Sequence, residues 1–205
     1  MIAKLRIFVA ALAASLFIGS TSAADVGKSA PQFTLTDIDG QTHRLSDFAG
    51  KIVVLEWTNY GCPFVKKHYN SGNMQALQDK AKGEEVVWLS ICSSAPGTQG
   101  HMSASEWQAA TTEKGVKSSA VLIDESGEVG RLYGAKVTPH MFVIDADGTL
   151  VYDGAIDSIP SGRVSDIEKA DNYVMAALDA VMAGKPVAVS KAKPYGCGIK
   201  YASDS

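Results

Sequence analysis

Cysteine is scarce in this chain, with three in 205 residues, at positions 62, 92 and 197. So few cannot build a disulfide scaffold, and an odd number leaves at least one thiol free or only transiently paired, which marks it as a candidate for reactivity. No Cys-x-x-Cys pair exists, because Val65 stands three residues after Cys62. Repeated Cys/His spacing of the kind that holds zinc is also missing, so His68 and His140 read better as solvated or core residues than as metal ligands. The most they would form with Cys62 is a copper or zinc chaperone site. No apolar run reaches the ~20 residues that a membrane span needs, and a net charge of −3 gives no attraction to nucleic acid or to an anionic membrane. Internal repeats and low-complexity segments are absent as well.

At the N-terminus Lys4 and Arg6 precede the apolar run 7–18, and the small residues Thr21-Ser22-Ala23 follow. This is the pattern of a removable export signal, with cleavage expected after Ala23. The run is too short for a membrane anchor, and no cysteine stands near the cleavage point to carry a lipid. The expected location is therefore periplasmic or secreted, where disulfides persist. The chain divides into a signal segment 1–23, one domain 24–184, and a tail 185–205 that carries Cys197.

The alternating stretch from Gln32 to Phe48 turns at Asp39-Gly40 and predicts a hairpin. Lys51 to Thr58 and Glu85 to Cys92 are near-continuous apolar runs rich in β-branched residues, as buried parallel strands require. The helical segment between them supplies the crossover of a βαβ unit. After Cys92 an exposed Ser/Pro/Gly loop is expected at the strand end where α/β sheets place ligands. Ser103 with Glu106 forms a capping box, and strands follow at Ala120 to Ile123, Met141 to Asp145 and Thr149 to Tyr152, the last two joined through Asp147-Gly148. A second capping box, Ser165 with Glu168, predicts a helix that ends at Gly184 and Pro186. The order implies an α/β fold with a mixed central sheet flanked by helices on both faces and an N-terminal hairpin.

Cys62 lies between Gly61 and Pro63, at the point where a buried strand gives way to a helix. Proline suits the first helical turn because its missing N–H is not needed there. A thiolate at that point meets free backbone N–H groups and the positive end of the helix dipole, and Lys66 can add to this if it points back. Its pKa is expected below the usual ~8.5, making it a nucleophile near neutral pH, with part of its sulfur reachable by solvent.

Several segments in order resemble the redoxin (AhpC/TSA) branch of the thioredoxin-like superfamily: Ala30 to Lys51, the strand leading into Gly61-Cys62-Pro63, and Tyr133 to Gly154. The tail "KPYGCGIKY" from Lys193 is similar to that of peroxiredoxin-like, exported members ending in a glycine-cysteine segment. The resemblance implies a thioredoxin-like fold, a thiol-dependent oxidoreductase with Cys62 as nucleophile, and no cofactor. It further implies that Thr138-Pro139 is a cis-proline loop facing Cys62, with Gly61, Pro63, Thr138 and Pro139 binding substrate. Glu56, six residues before Cys62, matches the buried acid that handles protons in disulfide exchange. Resolution of the Cys62 adduct falls to Cys197 by the likeness of the tail, with Cys92 as the rival. The partners implied are a disulfide or dithiol protein, or a small disulfide or peroxide, and a reducing protein. Two departures weaken the peroxidase alternative, with its antioxidant activity: Leu55 and Asn59 occupy positions where peroxiredoxins carry proline and Thr or Ser, and the peroxide-binding arginine falls near Pro139, with Arg131 the nearest in sequence. A permanent Cys62–Cys197 staple and a metallochaperone are the readings from other classes.

Overall fold

Alternation between buried and exposed residues vanishes in strand β3 (Val53–Trp57), all five of whose residues are buried, because it has a neighbouring strand on each side and helices or loops on each face. The computed structural model describes residues 23–203, so the expected signal segment lies, apart from Ala23, outside them. On one side β3 runs parallel to β4 (Val87–Cys92), which in turn runs parallel to β5 (Ala120–Ile123). On the other side it pairs antiparallel with β7 (His140–Ile144), and β7 with β8 (Leu150–Gly154). The predicted hairpin is β1 (Thr34–Asp37) and β2 (Thr42–Arg44), attached through β1 to β5. The seven-stranded order is β2-β1-β5-β4-β3-β7-β8.

The sheet separates two apolar clusters. One joins Val54, Trp88 and Met141 of the sheet to the helices α1 (Pro63–Asn70), α2 (Asn73–Gly83) and α5 (Tyr173–Met182), with Trp107 of α3 (Ala104–Lys114). The other packs Leu55, Trp57 and Phe142 against α4 (Glu128–Tyr133) and the N-terminal segment. The expected single crossover helix is two, α1 and α2, since the chain turns at Gly72, whose φ of 77° lies in the left-handed region that glycine enters without strain.

A second difference concerns the last helix. Ser165 and Glu168 fall in a 3-10 turn, Val164–Lys169, and α5 starts at Tyr173, where the Asn172 side chain accepts the Met175 N–H at 2.9 Å. The reason is local competition: the Asp166 side chain accepts hydrogen bonds from Ser161 and Arg163 and holds this stretch as a turn. The Ser103–Glu106 capping box opens α3 as predicted, and α5 is followed by Gly184 at φ 63°.

Because β3 and β4 are parallel, the chain leaves both at one edge of the sheet, where antiparallel β7 begins with His140 opposite Trp57. At that edge a small second sheet forms from β6 (Val137–Thr138) and β9 (Cys197–Gly198) of the tail, paired antiparallel.

Candidate active site

Asn59 shapes the loop between β3 and α1. Its carbonyl accepts the Cys62 N–H at 2.9 Å, its side-chain oxygen accepts the Gly61 N–H at 2.8 Å, and its amide donates to the Gln99 carbonyl at 3.4 Å. Cys62 is thereby placed as the residue before helix α1, with Pro63 in the first helical position and the Lys66 N–H returning to the Cys62 carbonyl at 2.9 Å. Lys66 itself faces solvent; Lys67 is the buried lysine of this helix.

The Thr138-Pro139 bond is cis, and the Thr138 carbonyl accepts from the Cys62 thiol at 3.1 Å. Thr138 is also the residue that pairs across to Cys197, which brings Cys197 beside Cys62, packed against the same apolar cluster. Burial pushes the Cys62 thiol up, but the Cys197 side chain, the backbone N–H groups of Val65 and Cys197 and the Thr138 hydroxyl outweigh it and leave the group below its ordinary 9.0. That threonine hydroxyl is buried and makes no hydrogen bond in the structure, which leaves it available to a Cys62 thiolate. Cys197 moves the opposite way: burial and then the neighbouring Cys62 push it up to about 11.

The expectation that solvent reaches the Cys62 sulfur fails. Cys62 is 0% exposed, because the tail strand lies across the proline loop that faces it. Gly196 permits this approach: its φ is 149°, and a Cβ there would stand 2.0 Å from the Thr138 oxygen. The tail continues along the same edge, with the Ile199 N–H on the Lys136 carbonyl at 3.0 Å and the Ala95 N–H on the Lys200 carbonyl at 2.8 Å. Tyr201 then packs against Gly127 and Gly130.

Glu56 is wholly buried under α1 and α2, and the groups that bond it are neutral donors: the Trp88 indole at 2.8 Å, Tyr69 at 2.9 Å, Ser90 at 3.1 Å and Gln78 at 3.3 Å. Burial raises its pKa above 4.5 despite these bonds. None of these partners is a cysteine. Cys92 ends β4, buried, with its thiol donating to the Gly100 carbonyl at 3.4 Å, and burial raises its pKa. Of the two rival resolving residues, then, Cys197 is the one held against Cys62.

The two histidines are engaged elsewhere. His68 accepts from the Asn73 amide at 2.8 Å, and burial together with the adjacent Lys67 lowers its pKa to about 4. His140 lies between the Lys136 N–H and Asp153. Among the described residues no group of three or more His, Cys, Asp or Glu could hold a metal ion. Arg131 donates to the Ser126 carbonyl at 2.9 Å and to the Ala202 carbonyl, with its guanidinium 4.8 Å from the Tyr201 ring. Sequence reasoning missed a buried cluster beside the site, formed by Lys67, Asp157 and Tyr195. These residues lie far apart in the chain, and no spacing links them.

A strand-turn-helix cysteine facing a cis-proline loop, on a mixed sheet covered on both faces, defines a thioredoxin-like protein. Within that class the chain belongs to the AhpC/TSA family, which matches residues 26–153. It is 28% identical over 127 residues to the thiol-disulfide oxidoreductase ResA of Bacillus thuringiensis subsp. konkukian, covering 62% of this chain and 68% of that one. A solved but uncharacterised protein of Geobacillus kaustophilus is similar over 88% of this chain and 94% of its own, with 29% identity and a TM-score of 0.75. A hypothetical protein of Sinorhizobium meliloti 1021 covers 89% and 98%, with 25% identity and a TM-score of 0.76.

Proposed function

We propose that this protein is an exported thiol-disulfide oxidoreductase in which Cys62 is the nucleophile and Cys197 the resolving residue. It is a thiol-dependent oxidoreductase of the thioredoxin type, and the observation that carries the finer reading is that Thr138 both accepts from the Cys62 thiol and pairs with Cys197, at the start of α1. Export rests on the basic-then-apolar N-terminal segment. Among the described residues no helix is long and apolar enough to cross a membrane.

The Cys62 thiolate attacks one sulfur of a substrate disulfide. That S–S bond breaks, the departing sulfur takes up a proton, and a mixed disulfide remains. Charge on Cys62 is one of the causes that hold Cys197 high; bonding of Cys62 to substrate removes that charge, so Cys197 ionises more readily at the step that needs it. Its thiolate then attacks the Cys62 sulfur and releases the second substrate thiol, leaving a Cys62–Cys197 disulfide. Two electrons have passed to the substrate, and an external dithiol protein restores the pair. Gly61, Pro63, Thr138 and Pro139 frame the sulfur, with the Thr138 hydroxyl as a donor to the anion. Glu56 is the buried acid beneath the site, acting on the protonation of its surroundings without touching either sulfur.

Peroxide cleavage requires donors around the developing oxygen charge. Asn59 spends its side chain on the loop and on Gln99, and Arg131 is engaged with the end of the tail. The test is a comparison of rates with a small disulfide and with hydrogen peroxide, in wild type and Cys62→Ser. Disulfide exchange is expected to be the faster by tenfold or more and to vanish in the variant. A peroxide rate tenfold above the disulfide rate, lost in Cys62→Ser, would make the protein a thiol peroxidase instead.

A further inference from the structure

Lys67 and Asp157 form an ion pair at 3.0 Å, with side chains 0% and 4% exposed. Desolvating such a pair is expensive, and it persists where further hydrogen bonds complete it. Here the completing groups are the Ile159 N–H, 3.1 Å from the second carboxylate oxygen, and the hydroxyl of Tyr195, which donates to that same oxygen. The Tyr195 ring lies 5.8 Å from the Lys67 ammonium and edge-on to Phe64, 5.7 Å between ring centroids.

The chain positions of these groups give the cluster its meaning. Phe64 and Lys67 are three residues apart on one face of α1, the helix that Cys62 precedes. Tyr195 stands two residues before Cys197. The cluster therefore ties together the two segments that carry the two thiols. On the other side of Tyr195, Gly196 brings the backbone against Thr138, and Cys197 pairs with it. A flexible tail without these anchors would present Cys197 to Cys62 only part of the time, and the probability of encounter would set the equilibrium of the disulfide.

We propose that Tyr195, held by the buried Lys67–Asp157 pair, is the positioning residue that fixes Cys197 against Cys62 and so sets the stability of their disulfide. The tail strand then occupies the Thr138 edge along which a bound polypeptide would pair, and an extended substrate segment gains that edge only as Tyr195 lets go. This rests on the assignment of Cys197 as the resolving residue.

The test is redox equilibration with glutathione. Each oxidation takes two protons and two electrons from the Cys62 and Cys197 thiols and breaks the S–S bond of glutathione disulfide, giving two glutathione thiols. Peptide mapping of the oxidised wild type comes first: a bridge other than Cys62–Cys197 would sink the assignment of the resolving residue. With that bridge in place, Tyr195→Phe keeps the ring and loses the bond to Asp157. Its disulfide is expected to be about tenfold easier to reduce, ~30 mV for a two-electron couple, and Cys62 of the reduced protein is expected to alkylate faster. Gly196→Ala, which disturbs the tail without altering any side chain of the cluster, should shift both readouts in the same direction. A Tyr195→Phe equilibrium constant with glutathione within twofold of wild type, with unchanged alkylation, would overturn the proposal even if that variant unfolds more easily, since a merely structural tyrosine would lower stability in both redox states alike.

Discussion

Cys62 and Glu56 are both buried, yet their ionisations move by different balances. For Cys62 the donors defeat burial, and one of the largest is the side chain of Cys197. Replacing Cys197 by alanine deletes that donor, so the Cys62 pKa is expected to rise, read as the pH dependence of thiolate absorbance or of alkylation in the Cys197→Ala, Cys92→Ala background. For Glu56 burial defeats the donors. Its folded-state pKa is raised above the unfolded value near 4.5, so its contribution to stability is fully present below that value and is lost as pH rises through the folded one. Glu56→Gln stays neutral throughout, so its stability relative to wild type should climb with pH from about 4.5 upward, as measured by urea unfolding at a series of pH values. A stability difference independent of pH would mean that the carboxylate keeps its ordinary pKa.

At the scale of elements, the places that fasten the tail include Tyr195 on α1, β9 on β6, and Tyr201 on α4. The last depends on Gly130, where a Cβ would lie 2.4 Å from the Tyr201 hydroxyl and 2.8 Å from the Ser93 hydroxyl. The constraint there is space alone, since Gly130 is an ordinary helical residue of α4. Gly130→Ala is therefore expected to release the C-terminal end of the tail, seen as faster amide exchange at Ile199 and Tyr201, while β3 and β4 remain protected. The helix caps follow the same locality: Ser103 holds α3 through its own neighbours, whereas Asn172, not Ser165, opens α5 because the residues before it are held as a turn.

For the whole molecule the Cys62–Cys197 bond would close a loop containing most of the sheet. Closing so long a loop removes unfolded-state entropy worth roughly 3–5 kcal/mol, and in the reduced protein the pairing with Thr138 already holds Cys197 beside Cys62. The oxidised form is therefore expected to resist urea better than the reduced form, with the difference abolished in Cys197→Ser. Equal stability of the two redox states would argue that the bond strains the fold.

The hairpin, the buried parallel strands, the α3 cap and the Gly-Cys-Pro helix start were legible in the sequence, because each depends on residues within a few positions of one another: period, turn pairs and capping spacing are local properties. The position of Cys62 before α1 and the cis bond before Pro139 were reachable through motif order for the same reason. The break at Gly72 and the true start of α5 were obscured because helical patterning continues across both. Burial of Cys62, the placing of Cys197 rather than Cys92 beside it, and the Lys67–Asp157–Tyr195 cluster were decided by tertiary structure alone. Each brings together residues far apart in the chain, from Asp157 with Tyr195 to the tail strand of Cys197 with the loop facing Cys62, and desolvation and pairing energies of that kind exist only once those residues meet.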